Sequence, residues 1–537
     1  MKLKKLNQSK LILISSLFFL IFHNVSFFEN VTETYKISSN TILPLISIPL
    51  FLFAAFVIFY TLLSSKYTTK PILIFTILTA SFASYFMNVY HVVIDDEMIR
   101  NTLQTDMRES ADLFSLRMIL YVFFLGILPA IFVYKVEIEY YPLKKEIWRK
   151  VRNIGVSLLV ILAITFSFSK FYASFFREHK SLRYYVNPVF WMYNTGNYFV
   201  KLGAHESTEI TKIGEDAKIV ETGKTHKPEL IILVVGEAAR ADRFSLNGYE
   251  RETNPELKKQ KDIVNFSKMY SCGTSTAVSV PCMFSMFGKA HYSYKKGRST
   301  ENVLDVLSRT QKVAVLWRDN NSDSKGVALR VPFQDYKTAT NNTMCDDVEC
   351  RDEGMLVGLD KFIKDNEGKN ILIVLHQMGN HGPAYYKRYP KSFEKFTPVC
   401  QTNQLENCSA QQIGNAYDNA ILYTDYFLSK TIDFLKPYSA SHETMMFYLS
   451  DHGESLGENG VYLHGMPYFM APESQKHVGS LMWLGSIQDE IDIKKLSSDK
   501  DKEFSQDNLF HTLLGLFGVD SKVYNKDQDM LRDARKN

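Results

Sequence analysis

At 537 residues the chain is long enough for two or three domains, and a hydrophobic share of 46% with 13% aromatics is more than one soluble core requires. Part of the chain is therefore expected in lipid. A net charge of +4 is too small for this length to imply a nucleic-acid partner.

The apolar excess lies at the N-terminus. Leu11–Phe28, Ile42–Leu63, Pro71–Tyr90, Met118–Tyr134 and Val156–Tyr172 are each roughly long enough to cross a bilayer core of about 30 Å, so residues 1–172 are expected to form a five-span helical bundle. A cleavable signal peptide competes for the first run, but no small-residue cleavage site follows it and four more spans do. Lys2, Lys4, Lys5 and Lys10, then Lys66 and Lys70, then Lys135, Lys144, Lys145, Arg149, Lys150 and Arg152 fall on one side, while Glu29–Ser39 and His91–Leu116 are acidic or mixed. The positive-inside rule makes the N-terminus cytoplasmic, and an odd number of spans places the rest of the chain outside. In the loop between spans three and four, Asn101, Thr105 and Glu109 recur every four residues and would share a helix face. Such a face either is solvated or holds an ammonium headgroup beside the membrane.

Residues 173–227 form a connector. Phe175, Phe176, Tyr184, Tyr185, Phe190, Trp191, Tyr193 and Tyr198 interleave there with cations, which suits amphipathic helices in the headgroup layer or an aromatic flap on the following domain. From residue 228 to 537 short apolar runs, Leu230–Val235, Val313–Trp317, Ile371–Leu375 and Thr444–Leu449, alternate with helix-length segments such as Glu301–Thr310 and Gln411–Leu435. This pattern predicts an α/β domain whose mostly parallel sheet is covered by helices on both faces. Ser505–Gly518 reads as a helix with a serine cap and a glycine stop. All six cysteines follow the last span as three close pairs, Cys272/Cys282, Cys345/Cys350 and Cys400/Cys408, expected as short-loop disulfides in an oxidising compartment.

Polar clusters follow the strand-like runs, where open α/β sheets bind ligands. Glu237 follows Val234-Val-Gly, and Asp451-His452 ends Leu449-Ser-Asp-His-Gly453. Two carboxylates and an imidazole suit zinc, and manganese less well. Thr276, in Ser271–Cys282, opens an apolar run that can begin a helix, where free N–H groups and the dipole favour a phosphate or an alkoxide. A metal or base is needed to make that hydroxyl nucleophilic. His381 and His464 remain as acid–base groups or as ligands to a second metal or a phosphate oxygen. Lys325, with Ser322, is placed to meet a phosphate.

At these residues the sequence resembles the phosphoethanolamine transferases that modify lipid A, within the alkaline phosphatase and sulfatase superfamily. The matching strings run from Val234 to Tyr249, Ser271–Ser285, Trp317–Gly326, Leu375–Tyr385, Leu449–Gly460 and Asp507–Gly515. The resemblance implies a Zn2+ site of Glu237, Thr276, Asp451 and His452, with a second ion when substrate is bound, and a phosphoethanolamine carried covalently by Thr276. Asn101, Thr105, Glu109, Ser322, Lys325, His381 and His464 match positions the family uses for substrate. It further implies a phosphatidylethanolamine donor, a lipid A acceptor, diacylglycerol release and weaker attraction for polymyxins. The implied location is the inner membrane of a Gram-negative cell, with a periplasmic catalytic domain; a monomer among membrane lipids is expected. The segment around Lys325 lacks the cysteine pair common in chromosomal enzymes of this kind and is similar in this to the mobile colistin resistance subgroup. Transfer to core heptose or Kdo, phosphoglycerol transfer, and a non-catalytic lipid-binding membrane sensor are the alternatives.

Overall fold

The structure, a computed structural model, describes residues 5–39, 41–104, 113–203, 210–220 and 227–536. The chain divides into two compact units, Met1–Ile99 with Phe114–Phe199 and Arg100–Leu113 with Val200–Asn537.

In the first unit, four helices among the described residues are long and apolar enough to cross a membrane: Ile42–Leu63, Thr69–Tyr90, Leu116–Lys135 and Leu143–Ser167. A bent pair, Gln8–Phe22 and Val25–Thr34, makes a fifth if it is one span. The run expected as one continuous first span is therefore broken, by 55°. Asn24 sits at the bend and is held there from outside the helix: its side-chain amide donates to Phe19 O, which also keeps its bond from His23 N, and to Asn187 O, while its Oδ1 accepts from Asn187 N. The fourth span contains a π-helical segment, Phe123–Ile127, where a Cβ at Gly126 would collide with Ser81. Close approach through a small residue is a common way for helices to pack in lipid. The fifth helix begins at Leu143, so the cations from Lys144 to Arg152 lie on its first turns rather than in a loop. Two further helices, Ser169–Glu178 and Val189–Gly203, account for the aromatic connector, joined by a 3-10 turn at Lys180–Tyr185.

The second unit is built on a seven-stranded sheet of β1 (Glu229–Gly236), β2 (Ile263–Asn265), β3 (Val313–Asp319), β4 (Phe333–Asp335), β5 (Asn370–His376), β6 (Glu443–Ser450) and β7 (Ser480–Leu484), in the order β2-β7-β6-β1-β5-β3-β4. Strands β6, β1, β5, β3 and β4 are parallel, and at one edge β7 runs antiparallel to both of its neighbours, β6 and β2. Because side chains alternate across a strand, Ile231, Leu233 and Val235 of β1 enter one core with helices Val303–Arg309 and Asn508–Leu516. Leu230, Ile232 and Val234 enter the other, with the long helix Ala410–Leu435. Both faces are dry, which is why the strands read as unbroken apolar runs. Helix Asn508–Leu516 starts later than the serine cap implied: Ser505 lies in a short strand, its N–H donating to Asn508 Oδ1, and Asp507 occupies the cap position. All three expected disulfides are present, Cys272–Cys282, Cys345–Cys350 and Cys400–Cys408.

Candidate active site

Parallel strands end together, so the residues just beyond β1, β3, β5 and β6 gather at one rim of the sheet. Glu237 follows β1, Asp319 and His376 close β3 and β5, and Asp451 and His452 follow β6. Thr276 reaches the same place as the first residue of helix Thr276–Met283. The loop before that helix is held by the Cys272–Cys282 bond and by Ser279 Oγ, which accepts from Gly273 N.

The four side chains form one buried cluster. Thr276 Oγ1 lies 3.2 Å from Glu237 Oε2 and 3.3 Å from His452 Nε2, which is itself 3.3 Å from Glu237 Oε1 and 3.4 Å from Asp451 Oδ2. Backbone contacts fix these groups: Asp451 Oδ1 accepts from Ala238 N and His452 N, and Asp451 N donates to Gly236 O. With His452 Nδ1 donating to Gly453 O at 2.8 Å, Nε2 is the ring nitrogen turned into the cluster.

These residues fit a tetrahedral cation. Bonds of about 2.0–2.1 Å to carboxylate oxygen or imidazole nitrogen set neighbouring ligands about 3.3 Å apart, close to the separations seen. Glu237 Oε1 and Asp451 Oδ2 are buried and have no hydrogen-bond partner in the protein, although burial makes an unsatisfied oxygen costly. The electrostatics agree. Burial opposes charge throughout, yet the Asp451 and Glu237 carboxylates lift His452 to a pKa of about 10, and His452 holds Glu237 below the usual carboxylate range. Asp451 is raised to about 6 by burial and by Glu237. Two carboxylates facing one imidazole thus draw in positive charge, the response of a site made for a cation.

A second group adjoins the first. The His464 ring is tilted against that of His452 with centroids 4.2 Å apart, and the His381 ring centroid lies 5.8 Å from that of His464. Ligand atoms of His452, Glu454 and His464 lie within 4.8 Å of one another. Ser322 is reached through Asn321, whose Oδ1 accepts from Ser322 N and whose amide donates to Glu237 Oε2 at 2.8 Å. Lys325 does not touch the ligand cluster; its ammonium donates to Ser322 O and Gln104 O. Asn101 sits on helix Asp96–Gln104, whereas Thr105 and Glu109 lie outside the described residues.

Several partners escaped the sequence reading. Asn321 and Glu454 were neighbours of motif residues but carried no signal of their own. Glu454 accepts from Tyr385 OH and pairs with His464 Nδ1, both at 2.7 Å. Asp319 takes Trp317 Nε1 and His376 Nδ1 on one oxygen and the backbone N–H groups of Asn321 and Asp323 on the other. Gln506 donates to Ser450 O and Asp451 O while accepting from Cys272 N, and so ties the loop before Thr276 to the loop that carries Asp451 and His452.

The chain matches two family models. One described as Sulfatase covers residues 229–519, and one described as Phosphoethanolamine transferase EptA/EptB covers residues 52–202. It is 46% identical over 507 residues to phosphatidylethanolamine transferase Mcr-1 of Escherichia coli, covering 92% of each chain. With phosphoethanolamine transferase EptA of Escherichia coli K12 it shares 39% identity over 546 residues, 100% of this chain and 98% of the relative. The integral membrane lipooligosaccharide phosphoethanolamine transferase A of Neisseria meningitidis superposes with a TM-score of 0.95 at 34% identity, covering 99% of this chain and 100% of the other.

Proposed function

Because this chain belongs to the EptA/Mcr-like phosphoethanolamine transferase family, with a sulfatase-type domain of the alkaline phosphatase superfamily, we propose that it moves phosphoethanolamine from phosphatidylethanolamine to a lipid A phosphate through Thr276. The observation that carries this reading is the buried contact of the Thr276 hydroxyl with Glu237 and His452, beside two carboxylate oxygens that face His452 but accept no hydrogen bond.

Glu237, Thr276, Asp451 and His452 would hold a zinc ion, which supplies the positive charge that lowers the threonine pKa and offsets a phosphate. In the first step Thr276 Oγ1 bonds to the donor phosphorus, the bond from phosphorus to the diacylglycerol oxygen breaks, and diacylglycerol leaves with the threonine proton. In the second step an acceptor phosphate oxygen attacks the same phosphorus, the bond to Thr276 Oγ1 breaks, and the threonine oxygen regains a proton. His464 is suited to moving that proton, since Glu454 holds its Nδ1 and leaves Nε2 free to give or take one. His381, its ring neighbour, is the other carrier. Ser322 and Lys325, with the Asn101, Thr105 and Glu109 stripe, complete the proposed substrate contacts. Both reactants are lipids, which accounts for a membrane bundle joined to the catalytic domain. The proposed setting is the inner membrane with the catalytic domain in the periplasm, where an added ammonium lowers the negative charge of lipid A and its attraction for polymyxins.

Mass spectrometry of lipid A from Gram-negative cells expressing wild type or Thr276→Ala tests this. A gain of about 123 Da, the mass of one phosphoethanolamine (C2H6NO3P), is expected with wild type only. Equal modification by Thr276→Ala would overturn the covalent mechanism, and no gain from membrane-inserted wild type would overturn the acceptor.

A further inference from the structure

The nucleophile helix is followed by a stretch that none of the site residues uses. Between Asp262 and Glu301 the sequence has no acidic residue, and within it Lys289, Lys295, Lys296 and Arg298 crowd into ten positions, all exposed. Several surface lysines elsewhere in this unit pair with carboxylates, as Lys258 does with Glu252, Lys436 with Asp433 and Lys502 with Asp499. Among the described residues these four cations have no carboxylate in ion-pair reach. Three of them lie against aromatic rings instead: Lys289 Nζ sits 4.2 Å from the Tyr468 centroid, Lys296 Nζ 4.8 Å from Phe287, and Arg298 donates to Tyr294 OH.

Tyr468 connects this stretch to the site. It lies four residues after His464, and the loop carrying both is pinned to the nucleophile loop, because Thr274 Oγ1 donates to Met466 O and Gly465 N donates to Thr274 O. The next residue, Phe469, is 71% exposed. Cations held over aromatic rings, with an exposed phenyl group among them, therefore flank the Thr276 site on both the nucleophile side and the His464 side.

We infer that this cationic, aromatic apron is the docking surface for the acceptor, and that it recognises a phosphate-bearing glycolipid through its negative charge and its apolar margin. The inference rests on the proposed transfer reaction and deepens it. An anionic lipid meets both chemistries at once: its phosphates find side-chain cations that no described carboxylate pairs, Asp507 taking only the backbone N–H of Lys289, and its apolar shoulder finds Phe469 and Tyr468. The zwitterionic donor has no net charge to be drawn there, so the apron should distinguish the two half-reactions.

The test uses the full chain reconstituted in phosphatidylethanolamine vesicles, with Lys289→Gln/Lys295→Glu/Arg298→Glu as the variant. Lys296 is left alone because its ammonium also donates to His291 O. Two quantities are read: the single-turnover burst of diacylglycerol without acceptor, and transfer to added lipid A across a salt series. The expected result is an unchanged burst with transfer lowered about 10-fold or more at low salt, the difference shrinking as salt rises. An equal fall in both half-reactions would overturn the inference in favour of a structural role. No change in either would reduce the apron to a solvated face. A wild type without a diacylglycerol burst would instead count against the transfer reaction itself. In that case binding of lipid A and of dephosphorylated lipid A to the two proteins in detergent decides the apron: a phosphate-dependent preference lost in the variant supports it, and equal binding overturns it.

Discussion

Glu454 serves two neighbours at once, Tyr385 through one oxygen and His464 through the other, so its charge sets which nitrogen of His464 faces the site. Glu454→Gln keeps the shape but weakens the hold on Nδ1. Loss of such supporting carboxylates commonly costs 10–100-fold, and a fall of about that size is expected in the rate of lipid A modification at unchanged membrane abundance. Near-wild-type rates would remove His464 from the proton path. The pair of Asp319 and His376 makes a different prediction, about stability. Burial opposes charge on both, but each is the other's counter-charge, so His376 is held above the usual imidazole pKa and Asp319 below the usual carboxylate value. A raised histidine contributes fully below its unfolded value of 6.5 and loses that contribution as pH rises through its folded pKa. A depressed aspartate contributes fully above 3.8 and loses it as pH falls through its folded pKa. The pair's contribution is therefore full between these values. Thermal unfolding of His376→Ala, which strands a buried carboxylate, should show a deficit of about 3–5 kcal/mol in that window that narrows above it. A deficit independent of pH would mean that lost packing, not charge, is responsible. The motif residues of the site were legible singly because their chemistry is local: a hydroxyl ahead of an apolar run, carboxylates after strands. Asn321, Glu454 and Gln506 were not, because amides and carboxylates in loops are ordinary until folding shows what they face.

The strands were the most legible elements, since burial on both faces leaves an unbroken apolar signature that solvent-facing strands lack. The first span and the C-terminal helix were less so. Hydropathy registers apolar length but not Asn24, whose side chain ties the bend to the backbone of Asn187. Ser505 was an acceptable cap until pairing drew it into a strand instead. The element that carries Thr276 depends on a covalent tie as well. Replacing Cys272 and Cys282 by serine frees a loop of ten residues, and a loss of about 2–3 kcal/mol in unfolding free energy is expected by the loop-closure estimate. Denaturant titration of the double variant against wild type checks this; an unchanged midpoint would show that Gln506 and Ser279 suffice to hold the loop.

At the scale of the whole molecule the loop charges make a prediction that needs no catalysis. With lysines and arginines collected in alternate loops and on the first turns of the helix that begins at Leu143, the N-terminus should be cytoplasmic and the C-terminus periplasmic. A reporter enzyme active only in the periplasm should work when fused after residue 536, and a fluorescent protein that matures only in the cytoplasm should not; the reverse pattern would mean an even number of crossings and a broken first pair that does not span. The sequence alone determined the lipid-facing runs, the alternating α/β order, the cysteine pairs and the kinds of side chain available for metal and phosphate, because each follows from composition over a short window. Only the tertiary structure decided which of those side chains meet. Thr276 contacts Glu237 from 39 positions away and His452 from 176, distances in sequence across which no local pattern carries information. Parallel strands ending at one rim close those gaps, and burial there leaves the carboxylate oxygens without the water that would otherwise satisfy them, so their charge must be met by His452, by a cation or by both.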